Sequence, residues 1–446
     1  MIHNLHSRQP QWKKWVRFII YGVILFLLVA LIKAILPNNN PHKLDDIPKK
    51  RGYKQQTILN YIPENDTVYY RDFPWYKTEH TRPQFSPNQT LLTLHLDSRE
   101  RQRVHDKAVA QAKQLALRKF PAHEYKGIRG SQWADDEGEF RKRVDCWTTG
   151  EWVRDEKSLQ LKHVQDPLYS SCDNKFYKTH EKDQKREAAQ YTWKSKCPLK
   201  YNAISAPSWC KLMKGRHMLL VGDLVHYQFH DLVLDSFRED PTVCFGELNC
   251  KDHTICKSPK DTRIRYIRND VLSTIRSFKN RDQGHPLANV VEWPFVTSSL
   301  LTTYPILVLS RTPLLGEDDL MFTRRLIQTM KVIRDASPDA LVIYKSYAIG
   351  HPFCDDADKP LTKPLTDSEL QKLPFGWSET KRRNAIARAV VEAAGGLFVD
   401  LGAMVDMRPD GHVGGSDCLR YCIPGPLDAT MQVLYHVFLG LEKKLK

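Results

Sequence analysis

The residues best placed to do chemistry follow a short apolar run. Met218-Leu-Leu-Val221 reads as a buried strand that ends at Gly222-Asp223. Leu224, Val225, Phe229, Leu232 and Val233 then recur with the spacing of one helix face. Gly222 permits a sharp strand-to-helix turn, and the Asp223 carboxylate can accept from the helix's first free N–H groups. The carboxyl end of a strand is where α/β enzymes mount reactive groups. Here the residue after Gly-Asp is Leu224, whose side chain offers none. His226 and His230 follow two and six residues later, and an imidazole there can act as base or nucleophile. A histidine in such a place more often serves as a structural hydrogen-bonder.

Other motifs carry less. Cys244-x5-Cys250-x2-His253-x2-Cys256 has metal-like spacing, but cysteines of the secretory pathway pair as disulfides, and no metal is expected. Asp356-Ala-Asp358 has the form of a nucleotide-sugar metal triplet, yet it sits among loop charges. No His-Glu-x-x-His, Gly-x-Ser-x-Gly or phosphate-loop sequence is present, and nothing calls for a cofactor.

The chain of 446 residues is 41% hydrophobic with ten tryptophans, enough for a packed core. Its net charge is +15, and the first 36 residues contribute Arg8, Lys13, Lys14, Arg17 and Lys33 with no acid. Without those five, 62 basic residues face 52 acidic ones. That surplus reads as a solvated basic surface compatible with an acidic partner. No nucleic-acid motif accompanies it.

Phe18 to Ile32, extended by Ala34, Ile35 and Leu36, is long enough to span a bilayer once Lys33 snorkels. Trp12 and Trp15 lie where an interfacial belt belongs, and no small-residue cleavage site follows. The expectation is a single-pass type II signal anchor at 18–36. It has a cytosolic tail at 1–17 and a lumenal remainder, and its short span suits ER or Golgi membranes. The even cysteine count (Cys146, Cys172, Cys197, Cys210, Cys244, Cys250, Cys256, Cys354, Cys418 and Cys422) fits an oxidising compartment. So do the glycosylation sequons at Asn65 and Asn88.

A polar stem is expected at 37–60, and an N-terminal extension at 61–144 containing a helix from Leu96 to Phe120. Residues 145–212 alternate cysteines, aromatics and charged loops, which suits a disulfide-tied cap rather than sheet. Within 213–446, strands are expected at Pro241–Phe245, Arg263–Ile267, Tyr304–Ser310, Ala340–Tyr344 and Leu397–Asp400. Helices are expected at Asp318–Ala336, Ser378–Ala394 and Leu427–Leu441. That alternation predicts a doubly wound parallel α/β sheet.

Several blocks in order resemble the trichome-birefringence-like family and its PC-esterase, SGNH-type domain. They are Cys146…Gly150-Glu-Trp-Val153, Pro167-Leu-Tyr169, Cys172, Tyr191-Thr-Trp193, Cys197 and Val221-Gly-Asp223. The C-terminal block, Arg408-Pro-Asp-Gly-His412 then Asp417-Cys-Leu-Arg-Tyr-Cys422, is similar to that family's Asp-x-x-His block. The resemblance covers about residues 145 to 440 and extends in texture to fungal members. It implies an SGNH-hydrolase-like fold and a Golgi protein related to polysaccharide O-acetyltransferases.

In that family a serine takes the acyl group, helped by a histidine base and an aspartate. Carried over, the nucleophile position is Leu224, the base position Arg420 and the carboxylate Asp417. Leucine cannot attack, and arginine stays protonated. Ser310 stands where such folds place an Asn oxyanion donor. The resemblance therefore implies a degenerate homologue that binds a polysaccharide or glycan, an acidic one being compatible with the basic surplus, or assists a partner transferase. In the alternative, rewired chemistry uses His226, His412 and Asp417 in a cleft shared with Gly222, Asp223 and Ser310. An Arg420–Asp417 ion pair would close the former site.

Overall fold

The computed structural model describes residues 73–75, 96–133, 137–155, 171–181, 184–199, 204–237, 253–256, 261–281, 289–314, 317–415 and 417–442. The expected anchor (18–36), stem, sequons Asn65 and Asn88, Cys244, Cys250 and the strand at Pro241–Phe245 lie outside the described residues. Among the described residues no helix is long and apolar enough to cross a membrane.

The helix Ser98–Lys119 opens on Asp97, which makes a capping box with Glu100. Its buried stripe is Ala108, Ala112 and Ala116, small enough for close approach to the helix Thr380–Ala393. Strands β1 (Gly150–Arg154) and β2 (Tyr191–Ser195) pair antiparallel, with Trp152 opposite Trp193. A cap without sheet was expected in this stretch; instead it forms this ribbon. Trp147, Trp193 and Trp209 sink into the same apolar cluster as the main sheet, because burying indole surface outweighs what a free-standing cap could gain.

The main sheet contains β3 (Met218–Gly222), β4 (His253–Cys256), β5 (Thr262–Arg268), β8 (Ile306–Leu309), β9 (Leu341–Lys345) and β10 (Leu397–Val399). The short strands β6 (Lys279–Arg281) and β7 (Val290–Glu292) form a separate hairpin. The order is β10-β9-β8-β3-β5-β4, parallel throughout except for β4 at one edge. This is a mixed α/β fold with a mostly parallel sheet.

Alternation along the strands divides the core. Met218, Leu220, Val308 and Ile343 face the cluster that holds Trp209 and the last helix, Pro426–Leu441. Leu219, Val221, Leu307 and Val342 face the cluster of the helices Ser98–Lys119, Asp319–Ala336 and Thr380–Ala393. Covering both faces makes these strands continuously apolar, as buried parallel strands require. A last hairpin, β11 (His412–Gly414) with β12 (Asp417–Tyr421), hangs beside the helix Leu224–Ser236.

Disulfides join Cys146 to Cys197, Cys172 to Cys422, Cys210 to Cys256 and Cys354 to Cys418. The Cys172–Cys422 bond ties the Trp-rich stretch to the end of β12 across 250 positions.

Candidate functional site

In a sheet of this order the chain runs outward from β3 in both directions, so a crevice is expected beyond the carboxyl ends of β3 and β8. At that point Gly222 approaches the next helix so closely that a Cβ would lie 2.6 Å from the His226 Cβ. Asp223 caps that helix, with Oδ1 accepting from the Val225 and His226 N–H groups at 3.1 Å each. Its Oδ2 accepts from the Thr312 hydroxyl at 3.0 Å. The carbonyls of Gly222 and Asp223 both accept from the Tyr266 hydroxyl. Asp223 thus serves as a structural cap, as the sequence predicts.

Leu224, the first residue of the helix, is only 3% exposed. Ser310 is buried, and its hydroxyl makes no hydrogen bond. Beside it the fully buried Arg311 forks onto Glu317 at 2.9 and 2.7 Å and lies 4.1 Å over the Phe322 ring. Burial pushes Glu317 up, but Arg311 and the neighbouring arginines outweigh it and hold the carboxyl below its ordinary value. Beyond the end of β8 the chain thus builds an internal ion pair.

The three residues of the rewired reading do not assemble into a hydrogen-bonded unit. His226 Nε2 donates to the Val308 carbonyl at 3.0 Å, and its Nδ1 is buried without a partner. Burial, then Lys345, pushes this imidazole well below its ordinary value. His412 Nε2 lies 2.7 Å from His351 Nδ1, with His412 Nδ1 3.1 Å from the Arg420 carbonyl. Asp417 Oδ2 accepts from Arg420 Nε at 2.6 Å, and its Oδ1 accepts from the Arg420 and Leu419 amides. His226 is held by the sheet, whereas His412 and Asp417 both bond Arg420 without touching each other's polar atoms. His226 in particular points to the sheet backbone, its ring reaching the Val308 carbonyl of β8. Gln228 ties that helix to the hairpin, donating to the Tyr421 carbonyl at 2.6 Å and accepting its amide at 2.9 Å.

Sequence reasoning missed the groups that fill the space behind Asp223. Lys345 ends β9 and is buried, lowered to about 8 by desolvation against the opposing charges of Asp223 and Asp406. Burial raises Asp406 to about 8. Tyr347 is raised well above its ordinary value, by burial first and then by Asp223. The one signal in the sequence was Lys345-Ser346, a charged break in the otherwise apolar run Leu341–Tyr344.

The cysteine–histidine motif does not gather into a site, since Cys256 is bonded to Cys210 and the His253 ring lies 5.7 Å from that of His230. Asp356 ends a short 3-10 turn, Cys354–Asp356. Among the described residues, no three His, Cys, Asp or Glu side chains could hold a metal ion.

No family model and no curated protein matches this chain. Among solved structures it is similar to a lipopolysaccharide acetyltransferase periplasmic domain of Salmonella ser. Paratyphi A. That match has 14% identity and a TM-score of 0.30, covering 52% of this chain and 90% of that one. It is also similar to a GDSL-like lipase of Parabacteroides merdae at 10% identity and a TM-score of 0.27, covering 51% and 96% respectively. Likenesses of this strength carry no weight for fold or function, and the reading below rests on the chain's own residues.

Proposed function

We propose that this chain is a catalytically silent relative of SGNH-type polysaccharide O-acetyltransferases, which binds glycan or assists a partner transferase. The observation that carries it is Leu224. The strand–turn–helix unit that would present a nucleophile is intact, with Asp223 as its cap, but the side chain it presents is apolar and buried. A fold cannot supply the missing group. The Arg420–Asp417 pair and the separate bonding of His226 and His412 support the same reading. In this proposal the segment 18–36 anchors the protein as a single-pass type II protein of the ER or Golgi membrane with its C-terminal part lumenal. Four disulfides among the described residues suit that compartment.

The test is turnover of acetyl-ester substrates and of a labelled acetyl donor by the full chain, beside the Leu224→Ser plus Arg420→His double variant. The native chain is expected to be inactive. Native activity that His226→Ala abolishes would sink the proposal and establish rewired chemistry.

A further inference from the structure

Two neighbouring cavities lie beyond the carboxyl ends of β9 and β10, away from Leu224. The larger, of about 480 Å3, is lined by His105, Lys381, Asp400 and Asp406, with Ile349, Leu365 and Phe398 among its apolar walls. The smaller, of about 300 Å3, is lined by Asp145, Thr148, Thr149, Gly150 and Trp193. Both are also lined by Pro364, Arg388, Asp400 and Ala403, so the two chambers meet there. The larger alone falls within the range of about 300–1,000 Å3 usual for small-molecule sites. None of Leu224, His226, His412 or Asp417 lines either chamber.

The lining has a direction. Arg388 is held by the Asp145 carboxylate and lies 4.7 Å over Phe398, so its charge is already matched at the junction. Lys381 is exposed at the rim, close enough to His105 for its charge to act on that imidazole. On the inner side, Asp406 Oδ1 accepts from the Ile349 amide at 2.8 Å, and among the described residues Oδ2 makes no hydrogen bond. Asp400 is already partnered, by a side-chain hydrogen bond from Ser346 and a long one, 3.4 Å, from the Ala403 amide. In the second chamber Thr149 donates to the Asp145 carbonyl and keeps its acceptor lone pairs.

A ligand that fits carries a negative group at one edge for Lys381 and a hydroxyl, able to donate or accept, at the other for the open oxygen of Asp406. It also needs C–H faces for the apolar wall between them, and a continuation into a chamber with hydroxyls. A fatty acid would use the cation and the wall but leave the open oxygen of the half-buried Asp406 without a partner, which costs affinity. A carboxylated sugar ring satisfies all of it.

We infer that these joined chambers form a binding site for an acidic oligosaccharide, with one uronic-acid ring in the larger chamber and the adjoining sugar in the smaller. The inference rests on the glycan-binding reading for its ligand class and adds the site and the charge.

The experiment is calorimetric titration of the full chain with trigalacturonate, the neutral maltotriose and butyrate as probes. Four proteins are compared: native, Lys381→Glu at the rim, Ala403→Phe filling the junction, and Lys211→Glu as a charge-matched control on a distant helix. Trigalacturonate should bind at least about tenfold more tightly than maltotriose. Lys381→Glu should erase that preference, Ala403→Phe should abolish binding, and Lys211→Glu should leave both unchanged; butyrate should not bind. Trigalacturonate binding that neither cavity variant weakens would overturn the site while leaving the glycan-binding reading intact. Maltotriose binding equally well would overturn the acidic class. No saccharide binding by a chain that melts cooperatively would overturn the site and the glycan-binding reading it rests on, leaving assistance to a partner transferase.

Discussion

His351 Nδ1 lies 2.7 Å from His412 Nε2 inside a buried pocket, and each ring's outer nitrogen faces a backbone carbonyl. These are the Asp406 carbonyl at 2.8 Å and the Arg420 carbonyl at 3.1 Å. Trp75 meets His351 edge-on, and Tyr421 stacks on His412. Carbonyls only accept, so three full hydrogen bonds along this line need three ring protons, while two neutral imidazoles carry two. A third proton would bring a buried charge. Burial opposes it, holding His412 to about 3 and His351 well below its ordinary value. Side-chain 15N spectra recorded from about pH 5 to pH 8 should therefore show both rings neutral throughout. A doubly protonated ring in that window would reverse the assignment.

His230 gives a pH prediction: among the described residues neither ring nitrogen makes a hydrogen bond, although Nδ1 lies 3.5 Å from an Asp231 carboxylate oxygen. Burial, then the nearby His253, depresses it to about 3. As pH falls below the ordinary imidazole value of about 6.5, the unfolded chain takes up a proton that the folded chain refuses. The stability this group supports is thus complete above about pH 6.5 and lost as pH drops toward 3, at roughly 1 kcal/mol per pH unit. Replacing it with Phe removes that loss. Urea unfolding at about pH 7 and about pH 5 should show native protein losing roughly 2 kcal/mol more than His230→Phe over that step. An identical loss in both proteins would mean that His230 titrates normally.

Asp223 was read as a cap, and its contacts make that testable apart from any catalytic role. Asp223→Ala removes two N–H acceptors and strands the Thr312 hydroxyl, a loss of about 2–4 kcal/mol. Asp223→Asn keeps a carbonyl oxygen for the helix and should lose less than half as much. Equal losses for Ala and Asn would show that the negative charge beside Lys345, not the cap, is what Asp223 supplies.

What could be read from the chain was local. Strands β3, β8 and β9 announced themselves as apolar runs, and Asp97, Asp223 and Asp318 each start the helix their position predicted. The β1–β2 ribbon was not legible, because Gly150–Arg154 is short and finds its partner some forty residues on. Cysteine pairing was closed to inspection for the same reason, since spacing says nothing about a bond between Cys172 and Cys422. At the site, the apolar character of Leu224 could be read directly from its side-chain type. The direction of His226 could not, because helical periodicity places a residue on a face without choosing what its ring bonds. The grouping of Lys345 with Asp223 and Asp406 comes from three elements distant in sequence, and only the folded sheet brings them together.

Arg408 offers the sharpest stability test. It is fully buried, forked onto Asp410 at 2.8 Å through two nitrogens, bonded to the Ala188 carbonyl, and seated 4.4 Å from the Trp152 ring. One side chain therefore joins the C-terminal block to the β1–β2 ribbon. Removing it leaves Asp410 charged and buried without its partner, so Arg408→Ala should destabilise by about 3–5 kcal/mol. Lysine keeps the charge but has neither the planar fork nor the flat face that stacks on indole, so Arg408→Lys should still lose roughly 2 kcal/mol. Adding Asp410→Asn to Arg408→Ala should recover part of the loss, because the stranded charge is then gone. If the double variant unfolds no later than Arg408→Ala in urea, the cost lies in the lost stack on Trp152 and the bond to Ala188 rather than in the uncompensated carboxylate.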